Sequence, residues 1–360
     1  CLEGTILPRN ASPVYSNIAE ATITSLFPTI EKEFAKKHGY LPDNNNVHSS
    51  LAVLALGKLG SREITAASDL DLVFVYNNSK NNTLNTFISD GDQPLSTVQY
   101  YNRLSQRLIN GLSALTSEGQ LYKVDMRLRP SGSNGLIATS LEGFERYHSQ
   151  SAWTWEHLAL TRARTVSGPP ELCNLLTNTI CKILKKPRDR EVLVCDVAKM
   201  RNRLDSEMHT DCIFSLKYLR GGLVDIEFIV QYLTLRHAAE HPEILGLGTR
   251  STLTALVEAN LLHRIIGLDL TEALDLWQDL QGLLAITIEG EISVDREEEI
   301  SRALKKDLVR VASNTPGVLN GQIDDFEQLK KIIIDRANKV YSIFRNLIEI
   351  PAANLPQIEI

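Results

Sequence analysis

Two aspartates, Asp69 and Asp71, stand two residues apart in the largely apolar run Asp69 to Tyr76. A strand has period two, so both carboxylates point to one face, roughly 7 Å apart along it. Leu70, Leu72 and Phe74 go to the other face, into a core. Just upstream, the apolar run Leu51 to Leu56 leads into the turn Gly57-Lys58-Leu59-Gly60-Ser61. Paired carboxylates beside a small-residue turn suit metal-assisted phosphoryl or nucleotidyl transfer. The acids hold Mg²⁺, and the glycine backbone approaches a triphosphate closely. The bland alternative is two surface acids at a strand start. Against it, carboxylates on a half-buried strand repel each other unless a cation neutralises them.

Asp125, between Val124 and Met126, either completes a three-carboxylate site or forms an internal ion pair with Arg127 or Arg129. The turn lacks the spacing of a P-loop and of a dinucleotide fold. As a functional turn it contacts phosphate through the backbone of Gly57 and Gly60 and the Ser61 hydroxyl. Lys58 either reaches phosphate or is solvated. Arg127, Arg129 and Ser131 to Asn134 offer an anion-binding surface. Trp153-Thr154-Trp155-Glu156-His157 with Arg162 and Arg164 reads either as a hinge with core tryptophans or as cleft lining. Spacing does not support His157 as a general base. Asp225 and Glu227, after Arg220-Gly221-Gly222, do not share a helical face, so a common metal is not expected. Ion pairing with Arg162, Arg164 or Arg127 is their structural reading.

These residues need strands and helices to hold them. Ile18 to His38 has helical spacing after an irregular 1–16, with Pro28 able to kink or split it. Gly39 to Ser50 and 77–96 read as polar loops. Thr97 to Ser117 is a helix ended by Gly119, with Val98, Tyr101, Leu104, Leu108, Leu112 and Leu115 as its stripe. Leu121 to Leu128 is a third strand. Leu141 to Gln150 is a helix, and Trp153 to Arg164 a helix with room for a strand near its end. After Gly168 helical signals dominate, near 171–185, 189–209, 223–238, 250–265, 270–288, 296–312 and 323–349. Asp269 to Glu272 resembles a capping box. The expected domains are an N-terminal helical lead-in over 1–48, a catalytic α/β unit over 49–168 and a helical bundle over 169–360.

A chain of 360 residues has ample length for a sizeable core. Its net charge of −6 argues against a general nucleic-acid binder. Five cysteines without a CxxC pair read as reduced cytosolic thiols, not a disulfide framework or zinc site. No apolar run approaches the ~20 residues of a membrane span, and no signal peptide is read.

Four ordered segments, G-K-L-G-S-R-E…A-S-D-L-D-L, Y-K-V-D-M-R-L-R-P-S-G, A-W-T-W-E-H-L-A-L-T-R-A-R and G-G-L-V-D-I-E-F, resemble the glutamine synthetase adenylyltransferase family, of the DNA polymerase β-type nucleotidyltransferase superfamily. The resemblance runs from about residue 20 to at least 350. It implies an α+β fold: a polymerase β-like mixed sheet with flanking helices, followed by an all-helical bundle. It implies a cytoplasmic bacterial enzyme of nitrogen regulation, with ATP as substrate, Mg²⁺ on Asp69, Asp71 and Asp125, glutamine synthetase as protein substrate and a PII-type signalling protein as a further partner. Full-length members carry two catalytic domains. The N-terminal one removes AMP by phosphorolysis, releasing ADP, and the C-terminal one attaches AMP to a tyrosine. With one motif copy and a start at Cys1, the chain is expected to be one half of such a protein. The W-T-W-E-H wording resembles the C-terminal, adenylylating half. Deadenylylation, or a non-catalytic docking module, are the alternatives.

Overall fold

The computed structural model describes residues 6–42, 50–77, 87–288, 300–318, 323 and 325–355. Two compact units emerge, one of residues 16–62 and 68–184, the other of 1–15, 63–67 and 185–360.

The first unit is built on a mixed sheet. Strand β1 (Leu51–Ala55) pairs antiparallel with β2 (Leu70–Tyr76), Leu51 facing Tyr76 and Ala55 facing Leu72. All of β1 is buried, and in β2 only Asp71 escapes full burial. Both faces are therefore covered, which is why these strands read as near-continuous apolar runs. Between them lies one helical turn, α2 (Gly57–Gly60). Helix α3 (Thr97–Leu112) buries Tyr100, Tyr101, Leu104, Leu108 and Leu112, and Tyr101 stacks on Tyr76 of β2 with ring centroids 4.3 Å apart. A short exposed hairpin, β3 (Leu115–Thr116) and β4 (Gly119–Gln120), follows. Strands β5 (Val124–Asp125) and β6 (Ala138–Ser140) run parallel to β2, at its start and its end. Helices α4 (Leu141–Gln150) and α5 (Thr154–Leu160) lead to β7 (Arg164–Ser167), which closes the other side of β1. The unit also holds α6 (Pro170–Leu184) and the body of α1 (Pro8–His38), which buries Ala19, Ile23, Phe27 and Phe34.

In the second unit, helices α7 (Arg190–Met208), α8 (Leu223–His237), α9 (Thr249–Glu258), α10 (Arg264–Thr287), α11 (Arg302–Ser313) and α12 (Phe326–Phe344) follow in order. A π-helical turn (Arg345–Glu349) and α13 (Ile350–Ala353) come after them. Arg201 of α7 and Asp225 of α8, both fully buried, meet at 2.5 Å. Asp225 also accepts from the Gly221 N–H, and Arg201 donates to the Tyr218 carbonyl. Removing either partner would leave a buried charge, a loss of ~3–5 kcal/mol. Gly221 (φ +82) has no room for a side chain, since a Cβ would lie 1.8 Å from the Ala337 carbonyl oxygen. No described helix is long and apolar enough to cross a membrane.

Several elements depart from the sequence reading. Helix α1 begins at Pro8, within the stretch read as irregular, and stays one helix through Pro28. Helix α3 stops at Leu112, with Ser113 bonded back to Ile109, so Leu115 sits exposed in the hairpin instead of extending the stripe. The expected third strand contracts to Val124–Asp125. Asp269 to Glu272 lies inside α10, whose N-cap is His263, and Asp269 pairs with Lys339 instead of capping. The partner of Asp225 is Arg201, helped by Arg220, and not Arg162, Arg164 or Arg127. Residues 43–49, 78–86 and 296–299 of the expected loops and helix lie outside the described residues.

His148, buried in α4 against Phe144 and Tyr147, has no hydrogen-bond partner for either ring nitrogen. Burial, with the nearby His157, pushes its pKa down to about 3. A histidine lowered from 6.5 favours the fold fully above pH 6.5, and that contribution drains as the pH falls toward 3, at up to ~1.4 kcal/mol per unit. Urea denaturation across pH 7 to 4 should show His148→Phe losing less stability on acidification than wild type. Equal acid slopes would contradict the assignment.

Candidate functional site

The Leu56 N–H donates to the Asp71 carbonyl at 2.9 Å, so the chain enters the α2 turn tied to β2. Gly57 has φ +52, and a Cβ there would fall 2.0 Å from Asp71 Oδ2. A glycine is required because the Asp71 carboxylate lies directly against this backbone. Gly60 is required by a second close approach: its Cβ would lie 1.9 Å from the Arg162 carbonyl oxygen and 2.9 Å from that of Ala55. Ser61 is buried, and its hydroxyl donates to the Gly57 and Lys58 carbonyls.

Asp71 pairs with Asp125 in the parallel register of β2 and β5, directly across two hydrogen-bonded strands. Asp69, just before β2, is exposed. All three bear on Arg127, whose basicity is raised first by the hydrogen bond and charge of Asp125 and further by Asp71 and Asp69. Arg127 Nε and Nη2 donate to Asp125 Oδ2 at 2.8 and 2.5 Å, and its backbone N–H donates to Oδ1 at 2.8 Å. Burial raises the Asp125 carboxyl, but the Arg127 hydrogen bonds and the charges of Arg127 and Arg129 together outweigh it and hold it below the usual range. Both readings of Asp125 thus meet in one place: it stands beside Asp71, and it is ion-paired with Arg127. Three carboxylates are a hard-oxygen set that suits Mg²⁺. Among the described residues, however, no three His, Cys, Asp or Glu side chains converge as a ready metal cluster.

The other candidates are engaged in holding this region. Arg129 donates to the carbonyls of Met126, Ser133 and Gly135, stapling the loop after β5. At that loop's tip Ser131 takes a left-handed φ of +62. Arg164 donates to the Gly60 and Leu59 carbonyls and to Glu20, so it closes the C-terminal end of the α2 turn. Arg162 supplies the carbonyl packed on Gly60. Glu156 is buried and accepts from the Tyr147 hydroxyl and the Trp153 N–H, both at 2.8 Å. His157 bonds the His148 carbonyl. Trp153 is 72% exposed and is no core residue. Sequence reasoning missed Glu20, which binds Arg62 and Arg164, and Tyr147, partner of Glu156. Neither carries a spacing signal, because each meets its partners only through the fold.

Comparison with known proteins agrees with the motif resemblance. Residues 4–177 match the family model described as glutamate-ammonia ligase adenylyltransferase. The chain is similar to proteins named bifunctional glutamine synthetase adenylyltransferase/adenylyl-removing enzyme. It is 38% identical over 96% of its length to that of Rhodopseudomonas palustris, 37% over 97% to that of Xanthobacter autotrophicus, and 35% over 97% to that of Bradyrhizobium diazoefficiens. In each case it covers 33% of the relative, so the chain spans about a third of the length of the curated proteins it matches.

Gly57→Ala and Gly119→Ala separate packing from backbone strain. Both positions have positive φ, and a side chain at each costs ~1–2 kcal/mol. A Cβ at Gly119 meets nothing within 4 Å, whereas one at Gly57 runs into Asp71. Thermal or urea denaturation should therefore show Gly57→Ala as the more destabilised by at least ~1 kcal/mol. Equal losses would mean that the Asp71 carboxylate does not rest on this turn.

Proposed function

We propose, from the premise that residues 4–177 fall within the glutamate-ammonia ligase adenylyltransferase family, that this chain transfers AMP from ATP to a tyrosine of glutamine synthetase in the cytoplasm. The observation that carries this reading is the Asp71–Asp125 pair, in register on parallel strands against Gly57. The sheet around it is read as a polymerase β-like nucleotidyltransferase core, with residues 49–168 as the catalytic domain. Residues 1–48 are read as its lead-in, carrying the helix Pro8–His38, and 169–360 as the domain that docks the protein substrate and, in regulation, a PII-type signalling protein.

The tyrosine oxygen forms a bond to the α-phosphorus of ATP as the bond from that phosphorus to the bridging oxygen breaks, and pyrophosphate leaves. Asp69, Asp71 and Asp125 are the residues that would hold Mg²⁺, which would supply neutralisation of the phosphate charge. The chain's own part is positioning and electrostatics. Asp125, or a carboxylate next to it, takes the tyrosine proton. The backbone of Gly57 and Gly60 admits the phosphates, and the Ser61 hydroxyl ties the turn through the Gly57 and Lys58 carbonyls. Arg127 faces them, and Arg129 holds the loop from which Arg127 acts. Glu156 and Arg162 set the walls, and Arg164 holds the α2 turn in place. The same fold run with phosphate as the attacking group would remove AMP as ADP, an activity that the relatives' names include.

The test uses this chain with α-labelled ATP, Mg²⁺ and unmodified glutamine synthetase. Label should pass to a tyrosine, and Asp69→Asn with Asp71→Asn should lower transfer at least about a hundredfold. Undiminished transfer in that variant would sink the site assignment. Release of ADP from adenylylated glutamine synthetase and phosphate, without label transfer from ATP, would assign the removing direction instead.

A further inference from the structure

We propose that Arg127 is the resident cation of the carboxylate site, exchanged from Asp125 to a nucleotide phosphate when a divalent cation and nucleotide bind together. The inference rests on the nucleotidyl-transfer reading of the site.

Asp71 and Asp125 stand in register on neighbouring strands, with Asp69 exposed just before β2, so a positive charge among them eases their mutual repulsion. In this structure that charge is a guanidinium. Every described side-chain hydrogen bond of Arg127 ends on Asp125, and both carboxylate oxygens are used. The two partners differ in setting: the Asp125 side chain is 16% exposed, the Arg127 side chain 82%. The carboxylate is set into the wall, and the guanidinium covers it from the solvent side on a flexible stem. The guanidinium end of the pair is open to solvent, so Arg127 can swing away with water taking over its donors. The neighbouring arginines are not placed to do this. Arg129 spends its donors on three carbonyls of its own loop, and Arg164 on the α2 turn and Glu20.

A divalent cation alone must displace Arg127 from Asp125 and leaves the guanidinium with no new anionic partner. A cation arriving with nucleotide brings phosphate oxygens, and the planar fork that matched Asp125 matches them equally well. Arg127 thereby disfavours the bare cation and favours the cation–nucleotide complex. It is a source of positive coupling between the two ligands.

The test is binding, measured without turnover on the full chain. Mn²⁺ alone is followed by water-proton relaxation, and Mn²⁺ with a non-hydrolysable ATP analogue by calorimetry. Arg127→Ala should bind Mn²⁺ alone about three- to fivefold more tightly, as expected for release of an exposed ion pair. It should bind the Mn²⁺–nucleotide complex about tenfold more weakly, through loss of a charged phosphate contact. Arg127→Lys, which keeps the charge but not the fork, should fall between wild type and Arg127→Ala for both ligands. A side chain that merely supports the loop would weaken both ligands or neither, and either result overturns the proposal. If Asp69→Asn with Asp71→Asn leaves Mn²⁺ binding unchanged, the site reading itself is wrong and the exchange falls with it. If that variant abolishes binding while Arg127→Ala changes nothing, the site stands and only the exchange is refuted.

Discussion

Like charge crowded onto one strand end is the constraint around which the first unit is arranged. Asp71 faces Asp125 across a parallel pair, and it is the one residue of β2 that escapes full burial. Such a pair is tolerable only with compensation, and the surrounding chain supplies it in layers. Arg127 covers Asp125 directly. Gly57, lacking a Cβ, lets the backbone lie against the Asp71 carboxylate. Arg164 then bonds the carbonyls at the far end of that one-turn helix and anchors them to Glu20 of α1. The α2 turn, β5 and α1 thus serve one electrostatic problem.

The second unit solves a different problem by similar means. Its α7 and α8 are joined by a fully buried Arg201–Asp225 pair, with the Gly221 N–H as a further donor to the carboxylate. Trp277 of α10 donates to the Gly221 carbonyl. The G-G-L-V-D-I-E-F segment is therefore a packing junction: the glycine admits α12, and the aspartate neutralises a buried arginine. Residues 63–67, just ahead of Asp69 in the chain, group with this unit, where Glu63 accepts from the N–H and hydroxyl of Thr249 at the start of α9.

Where local pattern decides structure, the sequence was legible. The apolar runs at 51–56 and 70–76 form strands because both of their faces are covered, and α4 occupies its expected span because Ser140 caps it. The carboxylates stood out for the same reason, as charges inside apolar runs. Legibility fell where long-range contacts decide. Tyr122 to Leu128 alternates like a strand, but β2 offers partners only to Val124 and Asp125 there, and the next parallel partner comes from β6. Leu115 fits a helical stripe by spacing, yet the chain turns into a hairpin before reaching it. The Trp153–Arg164 segment, readable as a hinge or as cleft lining, gave no local sign that Glu156 bonds a cap and Arg164 the turn carbonyls. The bonds of Glu156 to Tyr147 and of Arg164 to Gly60 reach residues 9 and about 100 positions away and leave no periodic trace.

The central claim is that Asp69, Asp71 and Asp125 act as one cation site beside a nucleotide. A crystal of the chain grown with Mn²⁺ and a non-hydrolysable ATP analogue, measured at the manganese absorption edge, tests it directly. The account predicts an anomalous peak within coordination distance of all three carboxylates and of the triphosphate. Nucleotide bound with the peak elsewhere, or with Asp125 taking no part, would contradict it.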